Sequence, residues 1–568
     1  MGSEGGVGIG ITKRPSQQCL DAVEKAAAQR AEAEDTVEQD TKSPWIIARK
    51  KKVTTLAICL VVLPLLTVTV SRRDAPWTPT SLWPLATTST RRESDADRLL
   101  GGLLVPGLDE RSCHSRYQSA FYRKNAARSP SAHLVKRLRE QEALQRRCGP
   151  GTAAYRAASR RLRSRRRDGS NATDAACKYL VLVPYRGLGN RMLAVASAFL
   201  YAMLTDRVLL LDRATSLSDI LCEPFPGTSW LLPRRFPIKN LQKLTGDVRE
   251  SYRYLVQDDD GEASASKLRY VFVDLDHSCT YHDKLFYCDD DRQFLRRAPW
   301  LVMRTDGYFA PALFLNPAYQ EELDRMFPRK DSVFYLLAHY LFHPTNKVWG
   351  LITRFYNSYL RNSDENLGIQ VRVFDGDTPF KHVLDQILNC TSQENLLPEV
   401  VTQERMISPA STAGVKSKAV LMTGLSSWYY ENIRWKYWQS ATATGEVVSV
   451  YQPSHEEHQF SGETTHDMKA LAEMYLLSMT DAIVTSGWST FGYVGHGLGG
   501  LTPWIMFKPV NLTTPNPPCR RAQSMEPCLH GPPFYDCRAK HGADTGKLVP
   551  HVRHCEDMSW GLKLVHPE

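Results

Sequence analysis

From about residue 177 onward, apolar and polar residues fall in short blocks that switch between two periods. Residues 179–184 and 208–211 are continuous apolar runs rich in Val and Leu, the pattern of strands buried on both faces. Between them, 192–205 repeats apolar residues at helical spacing and is rich in Ala and Leu, so 178–211 predicts one β-α-β unit. Residues 269–275 and 300–305 predict two further strands, and 331–361 a long helical region broken at Pro344. Beyond Leu367 the alternation is regular. Strands are predicted at 369–373, 419–423, 447–451, 482–485 and 504–507, with helices near 380–388, 429–440, 465–480 and 490–497. Such order implies parallel, doubly wound sheets that take ligands at the carboxyl ends of their strands. The expected fold class is α/β: two facing Rossmann-like domains across a cleft, nucleotide in the second (366–510) and acceptor nearer the first (171–365).

Two upstream segments break this pattern. Residues 53–70 are 18 residues without a charge, about 27 Å as a helix and just enough to cross a bilayer. Arg49 and Lys50 to Lys52 precede this run, and Arg72 and Arg73 follow it. The cation bias predicts a single-pass type II membrane anchor, with 1–52 a disordered cytosolic tail. Residues 71–170 then read as an Arg-rich lumenal stem, in which 133–147 predicts a basic helix. Solvated spacer and binder of anionic lipid both remain open for it.

Charge is concentrated in that stem. Residues 111–167 hold 17 Lys and Arg against Glu140 and Glu142, so the rest of the chain is net acidic although the whole carries +10. No zinc, RRM or KH pattern accompanies the basic run, which excludes a nucleic-acid partner. Eleven of the 13 cysteines follow the apolar run, as do three glycosylation sequons at Asn171, Asn389 and Asn511. Both features suit an oxidising lumen. An odd count leaves at least one thiol free or intermolecular, and the pairing stays open: Cys279 and Cys288 could close a local loop, and the cysteines from Cys519 to Cys555 could staple the tail (511–568).

The turn Arg186-Gly187-Leu188-Gly189-Asn190-Arg191 joins the first strand to its helix. Its glycines and the helix N-terminus suit an anion, with Arg186 and Arg191 as fixed cations; a plain tight turn is the alternative, since neither GxGxxG nor a phosphate-loop lysine is present. Arg372 stands in the apolar strand 369–374, where a guanidinium needs an anion: a structural carboxylate such as Asp375 or Glu473, or a ligand diphosphate. Thr485, Ser486, Ser489 and Thr490 crowd a strand-to-helix junction, where hydroxyls cap the helix or receive phosphate. His455 and Glu456 follow the strand 447–451, within reach of a ribose or base, or merely solvated. Asp375 and Asp377 form a DxD, and Asp258–Asp260 and Asp289–Asp291 are further acidic clusters, each either a divalent-ion site or a solvated turn.

GLGNRML, SWLLP, TDGYF, YLFHPTNKVWG, GIQVRVF, EMYLLSMTDAIVTSGWSTFGYV and GHGLGGLTPWI, in this order from Cys177 to the C-terminus, resemble the plant xyloglucan fucosyltransferase family. The resemblance implies a type II Golgi enzyme of GT-B-like fold that needs no metal or other cofactor. It would transfer L-fucose from GDP-β-L-fucose, with inversion, to the 2-hydroxyl of a xyloglucan galactose; some members act on arabinogalactan proteins instead. By this resemblance Arg372 meets the GDP diphosphate, and Ser489, Thr490 and Phe491 line the same pocket. Gly187, Gly189, Asn190 and Arg191 line the cleft from the first domain. Asp306 faces the acceptor as base, with His282 and Asp283 in reserve. A non-catalytic carbohydrate-binding protein of the same fold stays open, as do a homodimer and a complex with other wall glycosyltransferases.

Overall fold

The computed structural model describes residues 97–123, 128–164, 177–258, 260–277, 279–288, 293–373, 379–401, 415–460 and 462–567. The cytosolic tail, the apolar run 53–70, Asn171, Asp375, Asp377 and Asp289–Asp291 lie outside them. Among the described residues no helix is long and apolar enough to cross a membrane.

Two parallel sheets organise the molecule. The first has strand order β2-β1-β4-β3, with β1 Lys178–Pro184, β2 Arg207–Leu211, β3 Val271–Leu275 and β4 Trp300–Thr305. Nearly every position of these strands is buried, as their unbroken apolar runs require. The second sheet is β10-β9-β8-β5-β6-β7, built from β5 Glu365–Gln370, β6 Ser417–Thr423, β7 Val447–Tyr451, β8 Ala482–Ser486 and β9 Trp504–Met506. Only its edge strand β10, Cys519–Arg521, runs antiparallel. The expected strands and helices are present, and the helical region breaks at Pro344 between Val333–Leu341 and Asn346–Phe355.

One large core runs between the sheets. Helices Leu188–Leu204, Val333–Leu341, Thr464–Ser478 and Thr490–Gly499 contribute to it together. Gly497 permits this closeness, because a Cβ there would stand 2.4 Å from the Phe334 ring.

The expected stem is corrected from residue 97 onward. The helix Ala132–Cys148 buries Leu134, Leu138, Gln141, Glu142, Gln145 and Cys148, a stripe at helical spacing. Gln141 Nε2 donates to Arg207 O at 2.8 Å and Gln145 Nε2 to Leu209 O at 3.0 Å. These amides satisfy the open carbonyls of edge strand β2, so the basic helix seals a sheet edge. Disulfides Cys113–Cys222 and Cys148–Cys177 fasten the segment.

The local Cys279–Cys288 loop is corrected, whereas the tail is stapled from within by Cys528–Cys555. Cys288 joins Cys537, Cys390 joins Cys519 and Cys528 joins Cys555, leaving Cys279 as the free thiol among the described residues. Proximity in sequence misled here, because the C-terminal segment folds back over both halves of the body.

Candidate functional site

The carboxyl ends of β1, β3 and β4 bring three side chains together. Asp306 follows β4, His277 follows β3, and Arg186 follows β1 in a left-handed conformation with φ +64°. Asp306 Oδ1 accepts the His277 backbone N–H at 2.9 Å, and Oδ2 accepts from His277 Nδ1 at 3.0 Å. Arg186 Nε lies 3.0 Å from the same Oδ2, and Arg186 Nη2 donates to His277 Nε2 at 2.8 Å. Burial opposes the charge on Asp306, yet hydrogen bonds from His277 and the nearby cations outweigh it and hold the carboxyl below its usual range.

Further along the same edge, Arg304 Nη2 holds Asp276 at 2.7 Å and Asp274 at 3.1 Å. Burial and the charge of Asp276 push Asp274 up to about 6 despite that arginine. At the carboxyl end of β2 a solvent-open groove of about 640 Å³ has Phe236 and Leu241 in its wall and Arg213, Arg234, Lys239 and Lys243 around it.

The second sheet contributes Arg372, which lies two residues beyond the end of β5 rather than within a strand. The ladder stops because Val371 N–H still reaches Thr423 O, at 2.8 Å, whereas Arg372 N–H is taken by Ser486 Oγ at 2.9 Å. The Arg372 side chain is half-buried. After β8, Ser489 Oγ accepts the Gly492 N–H and caps the helix Thr490–Gly499. Trp488 before it has φ +61°, with its N–H on Asp557 Oδ2 at 2.8 Å; Tyr493 OH donates to the same oxygen at 2.6 Å.

Several predicted residues do work inside the protein. Thr485 is fully buried and donates to Gln370 Oε1 at 2.7 Å, so it joins β8 to β5 and faces no cleft. Ser486 and Ser489 hold the backbone as described, Phe491 is half-buried, and Thr490 O–H donates to Asn190 Oδ1 at 2.9 Å. Asn190 Nδ2 in turn donates to Asp306 O at 2.9 Å.

Gly189 and Arg191 are corrected from cleft lining to the seam between the two halves. A Cβ on Gly189 would stand 2.7 Å from the Thr490 carbonyl carbon. Arg191 is buried, with Nη2 on Asp467 Oδ2 at 2.8 Å and Nη1 on Ser216 Oγ at 2.9 Å. Gly187 is half-buried beside them. His455 is exposed, its ring 5.7 Å from that of Tyr430. Glu456 pairs with His466 and Lys469, and Glu473 accepts from Ser454.

The reserve pair is likewise engaged elsewhere. Asp283 forms a capping box with Thr280 and pairs with Arg253 at 3.2 Å, and the His282 ring lies edge-on to Tyr281. His277 and Asp557 were not anticipated. His277 could have been found from its place two residues past a predicted strand. Asp557 carried no such signal, because it reaches Trp488 across 69 residues.

Comparison with known proteins gives a consistent result. A family model described as xyloglucan fucosyltransferase matches residues 84–538. The chain is 53% identical over 473 residues to the galactoside 2-alpha-L-fucosyltransferase of Arabidopsis thaliana, spanning 83% of this chain and 84% of that protein. It is 53% identical over 471 residues to the protein of the same name from Pisum sativum, spanning 83% and 82%. A solved structure of an arginine-to-lysine mutant of Arabidopsis thaliana FUT1 in complex with GDP matches with a TM-score of 0.75 and 53% identity, over 83% of this chain and 100% of that one.

Proposed function

Because the chain belongs to the xyloglucan fucosyltransferase family, we propose that it is a galactoside α-1,2-fucosyltransferase of GT-B-like fold. It moves L-fucose from GDP-β-L-fucose to the 2-hydroxyl of a terminal galactose on xyloglucan, with inversion. The observation that carries this reading is the convergence of two strand ends. Arg372 and the capped helix Thr490–Gly499 lie at the carboxyl edge of one sheet, Arg186, His277 and Asp306 at that of the other, and Asn190 bonds to both.

The chemistry follows from charge. As the sugar leaves GDP, negative charge grows on the departing phosphate and positive charge on the anomeric carbon. The Arg372 guanidinium and the amides opening the Thr490–Gly499 helix supply preorganised donors for the former, in a geometry an ammonium cannot copy. Because that guanidinium and helix terminus can neutralise the diphosphate, the reaction runs without a metal or other cofactor. His455, exposed after β7, is available to the ribose or base. The open groove beside β2 suits a polymeric acceptor better than an enclosed small molecule.

The protein works in the Golgi lumen behind a type II anchor at 53–70. Five disulfides and the exposed Asn389 and Asn511 of its sequons support an oxidising, glycosylating compartment. Incubating the protein with GDP-fucose and galactosylated xyloglucan tests the whole reading. Fucose appearing on the galactose 2-hydroxyl supports it; transfer to arabinogalactan protein alone would reassign the acceptor. Turnover with neither would leave only a carbohydrate-binding role.

A further inference from the structure

We propose that the groove at the carboxyl end of β2 binds carboxylate groups of an acidic polysaccharide, so that the acceptor this chain prefers carries uronic acid residues along with its galactose. This rests on the reading of the groove as the path of a polymeric acceptor.

The groove is a built feature of the first sheet. β2 pairs with β1 up to Leu182 opposite Leu211, and the Asp212 N–H donates to Leu182 O at 2.9 Å, so the groove opens beside the turn that carries Arg186. Its walls are the segments 212–219 and 232–243. The Leu232 N–H donates to Leu211 O at 2.8 Å, and Gln242 Nε2 to Asp212 Oδ2 at 2.7 Å, so the two walls are tied together.

Charge sets this strand end apart from its neighbours. On the same sheet edge Arg304 is neutralised by Asp274 and Asp276, and Arg186 pairs with Asp306. Around the groove stand four cations, Arg213, Arg234, Lys239 and Lys243, against two carboxylates, Asp212 and Asp219. Among the described residues none of the four forms an ion pair, and Asp212 is already engaged by Gln242. The positive excess has no internal use, and a neutral sugar chain has no need of it. An anionic chain does.

Arg213 supplies the selective contact. Its Nε donates to Leu232 O at 2.8 Å, the one hydrogen bond this guanidinium makes among the described residues. The group is thereby anchored to the opposite wall with Nη1 and Nη2 open, a planar fork that matches the two oxygens of a carboxylate. The half-buried Pro233 and Ile238 add apolar surface for the C–H faces of pyranose rings. Anionic lipid is the poorer fit, since a flat bilayer does not follow a concave groove whereas a linear sugar chain does.

The test titrates the full-length protein in detergent with oligogalacturonate, a linear chain of uronic acid, without GDP-fucose. Binding is expected, and raised salt should weaken it. Arg213→Gln should reduce affinity on the order of tenfold or more. Lys239→Gln combined with Lys243→Gln changes only exposed side chains, so it should also weaken binding while the melting temperature stays at the wild-type value. In transfer assays oligogalacturonate should raise the KM for galactosylated xyloglucan and leave the KM for GDP-fucose unchanged. No binding, binding indifferent to both variants, or binding without competition overturns the assignment. So does capture of phosphatidylserine vesicles in an Arg213-dependent manner by protein that ignores oligogalacturonate. Because the titration needs no donor, protein that binds the uronate chain and moves no fucose sinks the transferase reading alone.

Discussion

Asn190 and Thr490, 300 residues apart in sequence, share a hydrogen bond of 2.9 Å that ties the turn after β1 to the helix after β8. The other end of the Asn190 amide holds the backbone of Asp306, so one side chain sets the spacing between the carboxyl edges of the two sheets. Gly189 and Arg191 flank it on the same helix and face the same seam. The turn that looked like a ligand loop is chiefly the joint between the two halves.

That joint is intolerant of bulk. Gly189→Ala places a methyl against the backbone of Thr490 and Phe491, where neither partner can swing aside. The expected loss is about 1–3 kcal/mol, the range for overpacking, read as a lower midpoint in chemical denaturation together with reduced transfer.

Asp467→Asn should be more damaging to stability than its surface-like chemistry suggests. Arg191 is buried and its ion pair is with Asp467, so the substitution leaves a guanidinium in the core without a carboxylate, a change costing about 3–5 kcal/mol. Thermal denaturation of the variant, with Asp206→Asn at an exposed pair as the reference, measures it.

Arg372→Lys tests the donor side. The ammonium keeps the charge but loses the planar fork, so turnover should fall on the order of 100-fold to 1000-fold while the melting temperature stays near wild type. A companion assay in excess EDTA should leave wild-type transfer unchanged. Activity lost in EDTA and restored by a divalent ion would return the DxD of Asp375 and Asp377 to the mechanism.

Stability should fall as pH rises from about 5 to about 8. Burial pushes Glu526 up to about 8 from an ordinary 4.5, although Tyr308 and the Phe334 amide hydrogen-bond to it. Through that window the folded chain keeps a proton that the unfolded chain has released, so each rise in pH favours unfolding. Glu473 behaves alike. Glu526→Gln is neutral at every pH; its Oε1 keeps the Phe334 N–H, and its Nε2 donates to the Tyr308 oxygen in place of accepting from that hydroxyl. Denaturation at pH 5 and pH 8 should therefore give a smaller difference for the variant than for wild type.

The apolar blocks alone determined which segments become strands and helices, because burial on two faces or one leaves a period that needs no partner to be legible. They also located the turns after β1, β5 and β8. What they did not determine was how those turns are used. The basic segment 132–148 looked solvated because its buried stripe includes two glutamines, whose value as caps for β2 exists only once that edge is formed. Thr485 and Arg191 looked like ligand residues because a hydroxyl at a strand-to-helix junction and a fixed cation beside a glycine turn both suit an anion, and only the packed structure supplied Gln370 and Asp467. The pairing of His277 with Asp306 and Arg186 likewise required three strands to end side by side. Local periodicity is written along the chain, whereas the partner of a buried polar group is a fact about distance in space.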